Sequence, residues 1–225
     1  MATLAINNEV TTVIVIFSVE LERQQELVDA IAEYIETVKE QPGFVSANIH
    51  KSIDGLKVAN YAQWQSKEDY ENFVNNKEVQ QKAAKLREFT PPDIHIYEIV
   101  ISESKGGTPE IEQGQYITHF AEFRMPPENQ PRMVELAEEN VGKAMELPGL
   151  ISANFHRSFD GTRVINYGQW LDRKSIENLK KEPGFGGDSE YWTGIPENES
   201  SLRSCFDRPL KISNRRVGKL EVLFS

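Results

Sequence analysis

Cysteine is almost absent from this chain. One residue, Cys205, occurs in 225, so no disulfide can form within it, and a reducing, cytoplasmic setting is the expectation. Positive charge is also short: 25 Lys and Arg face 35 Asp and Glu, a formal net charge of -10. That balance repels phosphate backbones and anionic bilayers, so neither nucleic acid nor membrane is expected as a partner. Long apolar runs are missing. Val13–Val19 is interrupted by Ser18 and falls far below the roughly 20 residues that span a bilayer. The opening residues show no basic stretch followed by an apolar one, so no secretory leader is expected. No cluster of Cys, His and carboxylates has metal-ligand spacing, no glycine loop suits a phosphate, and no nucleophile elbow occurs. Neither a metal nor another cofactor is expected.

What the chain does contain is a duplication. Residues 42–64 and 148–170 align at an offset of 106 with 14 of 23 positions identical. Each copy opens on Pro-Gly, runs as a strand to Asp54-Gly55 or Asp160-Gly161, and continues as a second strand to Trp64 or Trp170. Asp-Gly between strand-like runs signals a hairpin, because Gly takes φ > 0 without steric cost. A repeat of about a hundred residues is a domain, since solenoid units run roughly 20–50. The expected division is a first repeat over 8–104, a linker over 105–114 and a second repeat over 115–225.

The elements follow from periodicity. Thr11–Glu20 is rich in Val and Ile and reads as a strand. Leu27, Val28, Ile31, Tyr34, Ile35 and Val38 form one apolar stripe on an acidic helix. After the hairpin, Ser66 and Asp69 form a capping-box pattern that starts a second helix. Further helical turns over 78–89 stop at Pro91-Pro92, and Ile94, Ile96, Ile99 and Ile101 mark a closing strand. The order β-α-β-β-α-β is the ferredoxin-like unit of an α+β fold. The second half repeats it with a helix to Leu147 and a short one over 172–181. Residues 183–209 lack a period and read as an ordered, divergent loop, and Val217, Leu220, Val222 and Phe224 suggest the last strand. Residues 1–10 read as a loose lead-in. Helices on one face leave the other face of each sheet in need of a partner. The second repeat can supply it within the chain, whether or not the whole molecule associates further.

The ordered set Pro-Gly, Ser-Ala, His, Ser, Asp-Gly, Val, Asn-Tyr, Gln-Trp, present twice, resembles the antibiotic biosynthesis monooxygenase (ABM) domain of the dimeric α/β-barrel superfamily. The resemblance implies two ferredoxin-like (βαββαβ) repeats that form an intramolecular dimeric α/β barrel. It also implies a cleft between sheet and helices for a small aromatic or polycyclic phenol, oxidised by molecular oxygen without flavin or metal. Carried over position by position, Asn60, Trp64 and His50 become the catalytic candidates, with Tyr70, Asn166, Trp170 and His156 as substrate-binding candidates. The first repeat is favoured, because Tyr70 is matched by Ile176 in the second. Haem-degrading relatives place a histidine ten residues beyond the Trp. Val74 and Lys180 stand there, so haem degradation is not expected.

A bland reading competes with this one. Asn and Trp four residues apart share one strand face, and a Trp there is commonly core. Asn48, Tyr61 and Gln63, with Asn154, Tyr167 and Gln169, are equally repeated and suit buried polar contacts between the repeats. A non-catalytic small-molecule-binding or structural protein therefore stays open beside the oxygenase. A cavity beside Asn60 and Trp64 favours the enzyme, and a packed core favours the scaffold. Hairpin register matters equally. A three-residue loop, Ile53-Asp54-Gly55, sets Asn48 opposite Asn60 and gathers His50, Asn60 and Trp64 on one face, leaving Val45, Ala47 and Ile49 for the partner sheet. A two-residue Asp54-Gly55 turn sets Ile49 opposite Asn60 and sends His50 to the other side. The three-residue register is the expectation in both repeats.

Overall fold

The computed structural model describes residues 2–6, 8–179, 199–206 and 210–213. Its strands are β1 (Ala2–Thr3), β2 (Thr11–Ser18), β3 (Phe44–Lys51), β4 (Lys57–Trp64), β5 (Asp93–Ser104), β6 (Glu110–Ile111), β7 (Ile117–Arg124), β8 (Leu150–Ser158), β9 (Arg163–Trp170), β10 (Glu199–Phe206) and β11 (Leu210–Ser213). Its α-helices are α1 (Gln24–Val38), α2 (Lys67–Asn75), α3 (Lys77–Lys82), α4 (Gln130–Met145) and α5 (Arg173–Leu179), with a 3-10 turn over Ala84–Glu88. Two ferredoxin-like units result.

The units share one antiparallel sheet of nine strands in the order β10-β7-β9-β8-β5-β2-β4-β3-β11. β5 belongs to both units: Asp93–Tyr97 pairs with β2, and Tyr97–Ser104 pairs with β8. β10 pairs with β7 and β11 with β3. Only residues 207–209 separate β10 from β11, a span of about 10–14 Å. The two ends of the strand order are thereby brought together, and the sheet closes as a barrel with α1 and α4 packed outside. Closure removes free sheet edges. β10 falls inside the stretch expected to be a loop, and it answers the ladder of β7 rather than any apolar alternation of its own. The residues expected to close the second repeat, Val217 to Phe224, lie outside the described residues.

The expected register is overturned. Ile49 pairs with Asn60, and His50 pairs with Ala59; likewise Phe155 pairs with Asn166, and His156 with Ile165. The reason is the turn, which is neither of the two expected forms. Ser52 and Lys57 bracket four residues: Ser52 N donates to Lys57 O at 3.0 Å, and Lys57 N donates to Ser52 Oγ at 2.8 Å. Gly55 takes φ 79° and donates to Ser52 O. Gln24 on α1 staples the bracket, its Nε2 donating at 2.9 Å to both Ser52 O and Lys57 O. Gln130, Ser158 and Arg163 repeat this arrangement. Four loop residues keep the parity of two, so β3 and β8 present the face opposite to that expected, while β4 and β9 keep theirs. A register shift between Phe44 and Ser46 still leaves Phe44 opposite Trp64.

The core divides accordingly. Val13, Phe17, Ala47, Ile49, Val58, Ala62 and Trp64 meet α1 outside the barrel. The barrel interior receives Ile14, Ala59, Tyr61, Tyr97, Phe120, Ile165 and Tyr167, with buried Ser46, Asn48, His50, Asn154 and His156 among them. Ala2, Leu4 and Ile111 are fully buried in the same cluster. The lead-in is thus not loose: β1 pairs with β6, Gln63 Nε2 donates to Thr3 O at 3.0 Å, and Gln169 Nε2 donates to Glu110 O at 2.8 Å.

Candidate functional site

Between the outer face of the first unit's sheet and its helices lies a cavity of about 440 Å³, within the range of small-molecule sites. Asn60 and Trp64 line its sheet wall, with Val13, Val15 and Ala47 beside them. Tyr34 on α1, Tyr70 and Phe73 on α2, Gln80 on α3 and Leu86 on the 3-10 turn form the opposite wall. Val74, Arg87 and Ile94 line the cavity and are exposed, so they mark its mouth. α2 begins as the capping pattern predicts: Asp69 N donates to Ser66 Oγ at 3.1 Å. None of its residues is fully buried, because its apolar face looks onto space.

Trp64 is both wall and core. It is 1% exposed, stacks on Phe73 at 4.8 Å, and meets Phe44 and Tyr70 edge-on at 5.5 and 5.8 Å. Trp64→Phe is therefore expected to weaken binding of a naphthol and also to cost about 1–3 kcal/mol through the gap it leaves. Unchanged urea midpoints would show that the indole carries no packing energy.

Asn60 differs in kind. Its Oδ1 is buried without a hydrogen-bond partner, a costly state for an acceptor, at a position where the cavity can receive a donor. Tyr34 has its phenol pushed up to about 12 by burial, and burial raises Tyr70 as well. Both are neutral donors near neutral pH. Among the described residues that line the cavity there is no carboxylate or imidazole, and Arg87 is a cation at the mouth.

The corrected register moves the histidines away. His50 and His156 face the barrel interior, on the opposite side of the sheet from Asn60, Trp64 and Asn166. His156 Nδ1 donates to Asn154 O at 2.9 Å, so Nε2 accepts the Tyr61 hydroxyl at 3.0 Å. Burial lowers His156 to about 4 and His50 to about 3. Both are neutral structural groups joining the repeats, as are Asn154 and Tyr61. The second unit also departs from the first. Asn166 Oδ1 accepts Asn154 N–H at 3.1 Å, and Trp170 packs in one apolar cluster with Leu150, Met133 and Ile176. Tyr34, Gln80 and Arg87 were not among the expected site residues. Tyr34 was legible only as part of the apolar stripe of α1, and nothing local ties Gln80 or Arg87 to Asn60.

The family model for antibiotic biosynthesis monooxygenases matches residues 11–85 and 116–186, together well over half of the chain. The chain belongs to this family. It carries the ABM domain twice. Tetracenomycin-F1 monooxygenase from Streptomyces glaucescens is 42% identical over 71 residues, which cover 31% of this chain and 63% of that protein. The match thus spans less than two thirds of the relative's length. Among solved structures, an anthrone oxidase-like protein superposes with a TM-score of 0.81 at 19% identity, covering 97% of this chain and 98% of its own. A monooxygenase candidate from Fusobacterium nucleatum reaches 0.62 at 12% identity, covering 94% and 95%. At these identities the two structures establish a shared fold. Among the described residues no helix is long and apolar enough to cross a membrane, and no group of three or more His, Cys, Asp and Glu could hold a metal ion.

Proposed function

We propose that the first ABM unit oxidises a small polycyclic phenol with molecular oxygen, with Asn60 and Trp64 as the residues that hold the substrate. The observation that carries this reading is the apolar cavity with one unpartnered buried acceptor, Asn60 Oδ1, on its wall. A flat aromatic fills such a space against Trp64, its hydroxyl donating to the Asn60 amide oxygen while neutral and accepting from the amide nitrogen once ionised. The names of the tetracenomycin and anthrone relatives agree with a polycyclic substrate.

The chemistry runs on the substrate's electrons. A phenolate passes one electron to oxygen, the resulting superoxide joins the ring carbon, and the hydroperoxide loses water to leave a quinone carbonyl. One O₂ is consumed per quinone and one water leaves, with both hydrogens drawn from the substrate. The cavity walls contribute no general base, so the ionisation of the phenol is its own. The pH midpoint of kcat/KM is accordingly expected to follow the pKa of each substrate across a series of naphthols and anthrones. Oxygen uptake with stoichiometric quinone formation, in the absence of added metal and flavin, is the expected result. Tight binding with no uptake above buffer would instead assign the chain as a small-molecule-binding protein.

A further inference from the structure

The two faces of the first half of β5 serve two different partners. Ile94 pairs with Val15 and stands at the cavity mouth, beside Pro91 and Pro92. Asp93 and His95 point to the other side of the sheet, where they meet the second unit. His95 Nδ1 lies 2.6 Å from Asp160 Oδ2, and Nε2 lies 2.7 Å from Asp93 Oδ1. Asp93 Oδ2 in turn receives Arg124 at 3.2 Å and Arg163 at 3.4 Å. Glu122, 3% exposed, pairs with both arginines through Oε1, at 3.1 and 3.2 Å. Phe159 N donates to Ile96 O at 3.0 Å, extending the ladder from the second unit's hairpin along β5.

We propose that His95 is a positioning residue, through which the Ser158–Arg163 turn of the second unit holds the Pro91–Ile94 mouth of the first unit's cavity. This rests on the reading of the cavity as the binding site. The contact is specific in its chemistry. Both ring nitrogens face carboxylate oxygens, which only accept, so only the imidazolium makes both bonds. The groups facing His95 are Asp93 and Asp160, with Arg124, Arg163 and Glu122 beyond them and the Tyr97 ring 6.1 Å away. With His95 charged, three anions meet three cations. A side chain without two donors leaves one of the two carboxylates without this partner and loosens the link between the turn and the strand.

The test uses the full chain and 2-naphthol, without oxygen and at one fixed pH near 7, where the probe keeps the hydroxyl that Asn60 receives. His95→Gln and His95→Phe should bind about 5- to 10-fold more weakly than wild type, and in turnover with oxygen KM should rise while kcat holds. Arg157→Gln breaks the exposed Arg157–Glu98 pair on a neighbouring rung of the same two strands, and should keep the wild-type affinity. Amide exchange of unliganded protein at fixed pH gives a second measure, expected to speed up over 91–97 in His95→Gln. Retention of wild-type affinity by both His95 variants would overturn the proposal, as would exchange changes confined to 158–163. A wild-type protein that fails to bind the probe refutes the cavity reading, and the exchange measurement then decides the clasp by itself.

Discussion

Between pH 6.5 and pH 5 the folded protein should lose about 3 kcal/mol of stability, half from each of His50 and His156. Both imidazoles are completely buried in the barrel interior, and burial lowers them to about 3 and about 4 from an ordinary 6.5. The sign follows from which state takes up protons. Above pH 6.5 both the folded and unfolded chains carry neutral rings, and the difference is nil. Below it the unfolded chain is protonated while the folded chain is not, so each ring tilts the balance toward unfolding by about 1.4 kcal/mol per pH unit. The loss levels off only near the folded values. Urea midpoints at pH 7, 6 and 5 give the slope. His156→Gln, whose side-chain oxygen can still accept from Tyr61, should lessen it by about half. An equal slope in wild type and variant would mean that the barrel admits the proton after all.

Replacing Asn60 by Leu should lower kcat/KM for a naphthol or anthrone by at least about 100-fold, a loss of roughly 3 kcal/mol in transition-state binding. The same change should leave the urea midpoint unchanged or slightly raised, because it removes an acceptor that is buried without a partner. The equivalent change in the second repeat should do the reverse. Asn166 Oδ1 holds the Asn154 amide, and Asn166→Leu leaves that N–H orphaned at a cost of about 1–3 kcal/mol, with turnover intact in the protein that remains folded. Paired urea and oxygen-uptake measurements on the two variants test both halves of the contrast. Equal loss of activity in both would place the chemistry elsewhere.

The architecture was legible because its signals are local or repeated. The Asp-Gly turns, the stripe on α1 and the Ser66 cap need only neighbouring residues, and the 106-residue offset shows the same hairpin twice. Faces were a different matter. Which side of β3 meets the helices depends on whether the hairpin loop has an odd or even number of residues. That was settled by Ser52 with Gln24, residues 28 apart. The apolar residues Ala47 and Ile49 read as a surface for the partner sheet, yet they pack outward on α1, and the polar Ser46, Asn48 and His50 line the barrel. A polar interior tied across the repeats by Tyr61 and His156 is invisible to an argument that places apolar residues inside. Asn60, Trp64 and Tyr70 were nonetheless brought together, since i and i+4 on one strand keep their common face in either register. β1 escaped notice because two residues carry no period. Ala2 and Leu4 become core only through Ile111, which is distant in sequence.

The shared strand β5 and the β10–β11 crossing join two units that a symmetric dimer would hold as identical copies. In such a dimer every substitution appears on both sides of the axis, so a change that fills one cavity fills the other. Here one gene encodes the two faces separately. Tyr70 and Ile176 occupy matching positions, as do the unpartnered Asn60 and the satisfied Asn166. The fused barrel thus lets natural selection act on one half for chemistry and on the other for support, and the two halves can drift apart without either losing its mate.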